Sequence, residues 1–281
     1  MRPEDAAVRF VKVHGLGNDF VVFDGAVLGR PLSAEVARAL CDRHHGIGAD
    51  GVLTLWPHAG VAGRMQVHNS DGSESAMCGN GLRCLARWLY DEGRVAATEP
   101  GVTLGAGERR YEVERLAPDR YRVHMAAAEL VHPELPAGMG ARGRAEHAVG
   151  GRSFAATCVH LGNPHAVIFA DEPPRPLAER YGAPIERYEA FVHGANVSFA
   201  KSVPGGFEAV VHERGAGLTR ACGSGACAIG AAAVLEGRWR AGTPMRVALP
   251  GGELVILVHD SGAIDMEGPA VRVFSGEVVL P

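Results

Sequence analysis

Two cysteines occupy the same place in a repeated pattern, so the chemistry to weigh first is that of a thiol pair. Cys78 precedes Gly79-Asn80-Gly81, and Cys222 precedes Gly223-Ser224-Gly225 144 residues later. In each case the Gly-x-Gly opens a run of helical character. A helix N-terminus presents unpaired N–H groups and a partial positive charge, which lowers a thiol's pKa and attracts a carboxylate. Taken alone, a cysteine in a glycine-rich turn is more often a small core residue than a nucleophile, by roughly three to one on burial statistics. Its recurrence at the equivalent position changes those odds. Two thiols flanking one carbon could remove a proton from one face and deliver another to the opposite face, one sulfur acting as thiolate base and the other as thiol acid. The peptide amides of Gly79, Asn80, Gly223 and Ser224 would then hold the adjacent carboxylate and stabilise the enediolate-like charge that develops.

The elements that must position these thiols also come in two copies. Val13-His14-Gly15-Leu16-Gly17-Asn18 matches Val159-His160-Leu161-Gly162-Asn163 with one residue dropped, and Glu92-Gly93-Arg94 matches Glu236-Gly237-Arg238. Leu104, Gly107, Glu108 and Val113 recur as Leu249, Gly252, Glu253 and Val258. Several matches in one order at a nearly constant offset point to a duplicated unit of domain size. In the first unit, Phe20 to Phe23 and Val52 to Leu55 read as strands, and Ser33 caps a helix running to about His44 that stops at Gly46. A second helix opens near Gly79 and ends at Gly93, and a hairpin turns around Gly105-Ala106-Gly107. The second unit repeats the order, with strands Ala166 to Phe169 and Phe207 to Val211, a helix from Gly223 to Glu236 and a hairpin at Pro250-Gly251-Gly252. The helix over Ala226 to Leu235 has no polar face and must be enclosed. The expected fold is therefore α+β: two pseudo-symmetric duplicated domains, each of mostly antiparallel strands wrapped round a central buried helix, with the site in the cleft between them. The domains are expected over 1–125 and 126–268, with 126–151 as linker. The tail 269–281, without a counterpart in the first unit, adds strand to one domain, the N-terminal unit being the candidate.

Composition narrows the function classes. Twenty-eight basic residues against 32 acidic ones give a net charge of −4, with no basic run or stripe, which disfavours a nucleic-acid or anionic-membrane surface. The N-terminus carries Arg2, Glu4, Asp5, Arg9 and Lys12 within its first dozen residues, so neither a signal peptide nor a membrane span fits. Six scattered cysteines without C-x-x-C spacing suit a cytoplasmic protein with free thiols. Cys41, Cys84, Cys158 and Cys227 lie on apolar patterns and read as core. Lysine occurs only at Lys12 and Lys201, which leaves few candidates for a pyridoxal phosphate Schiff base. Gly46-Ile47-Gly48-Ala49-Asp50-Gly51 fits G-x-G-x-x-G but follows a helix and precedes a strand, the reverse of the dinucleotide fingerprint. His44 and His45 are adjacent and cannot share a helix face as metal ligands. No cofactor and no metal is expected.

The chain resembles diaminopimelate epimerases over almost its whole length. The resemblance is carried by His14-Gly15-Leu16-Gly17-Asn18-Asp19-Phe20, Asn69-Ser70-Asp71-Gly72-Ser73-Glu74, Cys78-Gly79-Asn80-Gly81-Leu82-Arg83-Cys84, Gly162-Asn163-Pro164-His165, and Glu213-Arg214-Gly215-Ala216-Gly217 through Ala221-Cys222-Gly223-Ser224-Gly225. It implies a cofactor-independent epimerase that interconverts LL- and meso-diaminopimelate for lysine and cell-wall peptidoglycan synthesis, cytoplasmic and homodimeric. By that resemblance Cys78 and Cys222 take the acid/base roles, and Gly79, Asn80, Gly223 and Ser224 take the reacting carboxylate. Asn18, Asn69, Asn163, Asn196, Glu213 and Arg214 take the remaining substrate groups, including the distal zwitterion. His165 tunes the thiols, and Glu213 shares that role. Two positions depart from the pattern: Gly51 stands where some members carry a glutamine that touches substrate, and Phe274 where some carry a tyrosine in the dimer contact. Proline racemase relatives share the two-thiol logic with other residues around both cysteines, and phenazine-type isomerases lack the pair.

Other readings of the same residues stay open on sequence grounds. Asn69 suits a turn and Asn163 a loop before proline; Glu213-Arg214 suits a surface ion pair, and His165 a strand histidine satisfied in the core. Cys78 and Cys222 could form the working disulfide of a thiol redox protein, although such pairs are usually close in sequence. An amino-acid binding protein could use the helix ends as anion sites without catalysis, which leaves the paired cysteines unexplained. A racemase of another amino acid is the nearest alternative, and the Asn/Glu/Arg set argues against a small substrate.

Overall fold

The computed structural model describes residues 7–280. Arg2, Glu4 and Asp5, read above against a signal peptide, and Pro281 at the end of the tail lie outside the described residues. The chain divides into two compact units, one of residues 1–123 with 268–281 and the other of residues 124–267.

The first unit runs β1 (Ala7–Gly15), β2 (Asn18–Asp24), α1 (Gly25–Leu28), α2 (Ala34–Cys41), β3 (Gly51–Trp56), β4 (Arg64–Asn69), β5 (Glu74–Ser75), α3 (Gly79–Asp91), β6 (Gly101–Ala106), β7 (Arg109–Ala117) and β8 (Arg120–Met125). The second runs β9 (Arg144–Val149), β10 (Arg152–His160), β11 (Pro164–Phe169), α4 (Pro174–Glu186), β12 (Asn196–Val203), β13 (Gly206–Glu213), β14 (Gly217–Leu218), α5 (Gly223–Leu235), β15 (Met245–Leu249), β16 (Gly252–Val258) and β17 (Ile264–Pro269), after which β18 (Val271–Val279) ends the chain.

Strand pairing repeats from one unit to the other. β1/β2, β3/β4, β4/β5, β6/β7 and β7/β8 are antiparallel, while β2/β3 and β4/β6 are parallel. β10/β11, β12/β13, β13/β14, β15/β16 and β16/β17 are likewise antiparallel, with β11/β12 and β13/β15 parallel. The tail does have a counterpart. β18 covers β1 as β9 covers β10, each antiparallel, so each unit gains its last strand from the segment that follows the other unit's hairpins. The region read as linker therefore contains strand at Arg144–Val149. Its alternation of polar Arg144, Glu146 and His147 with alanines gives little apolar signal, yet His147 is fully buried.

Within each unit one helix lies among strands. α3 packs on β1, β2, β3, β4, β6, β7 and β18, and α5 packs on β10, β11, β12, β15 and β16. Every residue of α5 from Gly223 to Ala233 is buried, as a helix without a polar face requires. Gly230 marks the closest approach, since an added Cβ would lie 2.6 Å from Cγ2 of Ile256. Gly230→Ala should therefore destabilise the protein by about 1–3 kcal/mol through overpacking, despite alanine's higher helix propensity. Thermal denaturation checks this, and an unchanged midpoint would mean that β16 gives way freely.

Two elements differ from the sequence reading. α2 ends at Cys41 rather than near His44, because the Asp42 carboxylate accepts the N–H groups of both His44 and His45 at 2.7 Å and so turns the chain out of the helix. α4 was not foreseen. Its first-turn prolines, Pro174 and Pro176, need no intrahelical N–H bond, and Leu177, Ala178, Tyr181 and Ile185 bury its inner face. Among the described residues no helix is long and apolar enough to cross a membrane.

Candidate active site

Both cysteines are helix N-caps with the same backbone geometry. Cys78 has φ −142° and ψ 109°, and its Sγ accepts the Gly81 N–H at 3.3 Å. Cys222 has φ −121° and ψ 111°, and its Sγ accepts the Gly225 N–H, also at 3.3 Å. At α5 the Ala226 N–H bonds to the Cys222 carbonyl, while the amides of Gly223 and Ser224 make no bond within the described residues and so are available to an anion. At α3 the Leu82 N–H bonds to the Cys78 carbonyl in the same way, with Gly79 and Asn80 forming the first turn.

In the first unit the candidate residues collect at one end of the sheet. β2 and β3 start side by side, with Phe20 opposite Gly51, and antiparallel β4 ends there with Asn69 opposite Gly51. Asn69 closes a turn through its N–H to the Ser73 carbonyl and its Nδ2 to Ser73 Oγ. Asn80 is buried and donates from Nδ2 to Asn18 Oδ1 at 3.0 Å, and Asn18 donates in turn to Asp50 at 3.1 Å. Sequence reading gave no role to Arg83, which is fully buried. Its Nη2 donates to Asn80 Oδ1 at 2.6 Å and its Nε to the Pro269 carbonyl at 3.3 Å. That bond fixes which way the Asn80 amide faces and, through it, the Asn18 amide. The Asn80/Arg83 spacing of three residues, which places both on one helix face, was the available signal. Behind Asn18, Asp19 is held by Lys12 at 2.6 Å and by Arg43 at 2.7 Å. Burial alone would raise its pKa, but these cations lower it to about 2. A Cβ on Gly51 would lie 2.6 Å from the His68 carbonyl, so a larger residue there needs a shift of β4.

The second unit builds the same end with other side chains. β11 and β12 start together with His165 opposite Asn196, and β13 ends beside them at Glu213, its His212 opposite Val197. Asn196 Oδ1 accepts the Arg214 N–H at 2.9 Å, and Gly215 donates its N–H to Glu186 at 3.0 Å. The loop that carries Arg214 is thus pinned on both sides. Glu186, at the end of α4, was invisible to the sequence reading because α4 was.

Glu213 lies against Cys222 and accepts a bond from the Thr219 hydroxyl. Burial pushes the Cys222 thiol well above its ordinary pKa and the Glu213 carboxylate pushes it further, against the Ser224 hydroxyl and the Gly225 N–H. The expectation that the helix N-terminus lowers the thiol pKa is thus reversed at Cys222. A thiolate without water loses more than two hydrogen bonds return. Burial also raises Cys41 to about 11 and Cys84 and Cys158 to about 12, as core positions imply.

His165 is fully buried, and its Nε2 meets Asn163 Oδ1 at 2.7 Å. The ring thus meets a substrate-candidate amide rather than a thiol. Burial first, then the neighbouring His160 and Arg214, lower its pKa to about 3, so the ring is neutral and its Nε2–H donates to Asn163. The folded pKa lies below the unfolded value of about 6.5. The neutral ring therefore contributes its full stability above that value and loses it as pH falls toward about 3. His165→Asn should flatten the slope of stability between pH 6.5 and 4 in urea titrations. An unchanged slope would show that His165 is not the group responsible. Elsewhere, Glu129, His132 and His160 place ligand-type atoms within 4.8 Å of one another, with the two rings stacked in parallel at 3.5 Å.

Comparison with known proteins places the chain in a family. The family profile described as diaminopimelate epimerase matches residues 10–131 and 157–273. The chain is 42% identical over 285 residues to a diaminopimelate epimerase of Desulforudis audaxviator, covering 97% of this chain and 99% of that one. It is 42% identical to the corresponding Xanthomonas campestris protein, covering 96% of each. Among solved structures, a hydroxyproline epimerase from Agrobacterium vitis shares the fold with a TM-score of 0.74 at 17% identity, over 99% of this chain and 94% of that one. The chain belongs to the diaminopimelate epimerase family and is an amino-acid epimerase, an isomerase.

Proposed function

We propose that the protein interconverts LL- and meso-2,6-diaminopimelate by a two-thiol proton transfer, with the substrate between Cys78 and Cys222. The observation that carries this is the duplicated cap: in each unit a cysteine Sγ occupies the N-cap position of the enclosed helix and accepts the N–H of the third residue beyond it. The α-carboxylate is held by the amides of Gly79, Asn80, Gly223 and Ser224, which also take up the negative charge that develops as the α-proton leaves. Burial and Glu213 keep the proton on Cys222 in the resting enzyme, so Cys222 donates and Cys78 accepts in that form. After one turnover the protonation states are exchanged, ready for the reverse direction. Asn18, Asn69, Asn163 and Asn196 hold the amino groups and the distal carboxylate, with Arg214 as its cationic partner.

The thiol chemistry needs no pyridoxal phosphate in this reading. Lys12 is engaged with Asp19 and the Gly48 carbonyl, and Lys201 lies in the second half of β12. The protein would act in the cytoplasm on lysine and peptidoglycan precursors, as a homodimer. Phe274, 46% exposed on β18 and edge-on to Phe10, stands where some family members carry a tyrosine in the dimer contact. An assay of LL-diaminopimelate with protein free of any absorbing cofactor tests the function. Conversion to the meso isomer is expected, and turnover that appears only after addition of pyridoxal phosphate would overturn the reading.

A further inference from the structure

The distal end of diaminopimelate carries a carboxylate and an ammonium on one carbon, and each needs a partner of opposite charge. Arg214 can serve the carboxylate. Glu213, the acidic neighbour in sequence, accepts from Thr219 and lies against the Cys222 sulfur at the reacting end. The carboxylate that stands beside the Arg214 guanidinium is Glu134, with Oε1 at 3.6 Å from Nη1.

We propose that Glu134 is a specificity-determining residue that makes the Arg214 subsite select a zwitterionic end group over a bare carboxylate. The inference rests on the reading of Arg214 as the partner of the distal carboxylate. The pair is built rather than incidental. Glu134 Oε2 meets His160 Nε2 at 3.3 Å, and the Glu134 N–H donates to His132 Nδ1 at 3.2 Å. The adjacent Leu135 is buried in the core of the unit. Arg214 is fixed from the other side by Asn196 and by Glu186 through Gly215. Both side chains keep access to solvent, 35% for Arg214 and 28% for Glu134, as groups awaiting a ligand must.

Charge balance then sets the selection. The guanidinium and Glu134 together are neutral, so a bare carboxylate arriving there leaves a net negative charge in a partly dehydrated site. An amino-acid end group brings its own ammonium and restores neutrality. A site with Arg214 alone would show the opposite preference.

The test compares LL-diaminopimelate with L-2-aminopimelate, which differs by lacking the distal ammonium. The KM of the first and the competitive inhibition constant of the second are measured for the wild-type protein and for Glu134→Gln, Glu134→Asp and Arg214→Gln, with thermal melting to verify folding. Glu134→Gln should raise the KM for diaminopimelate about tenfold to a hundredfold, the range of a lost charged hydrogen bond. Binding of aminopimelate should stay constant or tighten. Glu134→Asp, which keeps the charge, should retain more of the preference and provides a second measurement should the glutamine variant fold poorly. Equal changes for both compounds in Glu134→Gln, or no change for either, would overturn the proposal. Arg214→Gln should weaken both compounds. If it weakens neither, the assignment of Arg214 to the distal carboxylate is wrong and the proposal falls with it, an outcome distinct from failure at Glu134 alone.

Discussion

Replacement of either Cys78 or Cys222 by alanine is expected to lower epimerisation by at least about 10²–10⁴-fold, the range for a lost general acid or base. In the proposed mechanism each thiol serves one face of the α-carbon, so neither can cover for the other. The structural cost is smaller and separable. Alanine removes the Sγ bond to the N–H of Gly81 or Gly225, a cap worth about 0.5–2 kcal/mol. Serine keeps the cap, since its oxygen is among the preferred acceptors at that position, yet its hydroxyl is a far poorer base than a thiol near neutral pH. The serine variants should therefore melt close to the wild type and remain nearly inactive. Near-normal turnover in either single alanine variant would exclude the two-thiol mechanism.

The second large effect is expected at the Glu213-Arg214 pair, with a different signature at each residue. Arg214→Ala should raise KM by roughly 10–100-fold through loss of a charged hydrogen bond to the distal carboxylate, with a lesser fall in kcat because the distal anchor also aligns the reacting carbon. Glu213→Gln should act mainly on kcat and on its pH dependence. With the carboxylate gone, the Cys222 pKa moves down from its elevated position, so alkylation of Cys222 by iodoacetamide should begin at lower pH than in the wild type. Unchanged kinetics in both variants would show that neither side chain acts on the substrate. An unchanged alkylation profile in Glu213→Gln would show that burial alone holds the proton on Cys222.

Much of this arrangement was legible in the sequence because the gene duplication wrote it twice. The Cys-Gly-x-Gly pair and the Val-His repeat that ends in Gly-Asn fall at equivalent places in the two units, and the polar-free run is the enclosed helix α5. What escaped reading had specific causes. α4 opens with two prolines and carries a third at Pro184, residues that normally argue against a helix. β9 lay in a segment otherwise rich in turn residues, and its inward face is Ala145, His147 and Val149, with a histidine at its buried centre. Glu134, Glu186 and Arg83 gain their roles only through tertiary neighbours. An arginine four residues inside an amphipathic helix reads as solvent-facing until the burial of Asn80 and the return of the chain at Pro269 surround it. The pKa of Cys222 was misjudged for a related reason. A helix N-terminus is visible in sequence, whereas the dehydration that outweighs it is a property of the packed unit.

The claim that two sulfurs work on opposite faces is tested most directly by the fate of solvent deuterium. LL-diaminopimelate is incubated in deuterated water, and at low conversion the α-deuterium content of both the meso product and the recovered LL substrate is measured. With two bases, the sulfur that removes the α-proton holds substrate-derived hydrogen and can return only that hydrogen to the original face, while the other sulfur delivers deuterium. The product should therefore carry deuterium from the first turnovers, and the recovered substrate should carry almost none. Deuterium entering the remaining LL substrate as fast as the product would show a single base serving both faces, and would contradict the assignment of Cys78 and Cys222 as a catalytic pair.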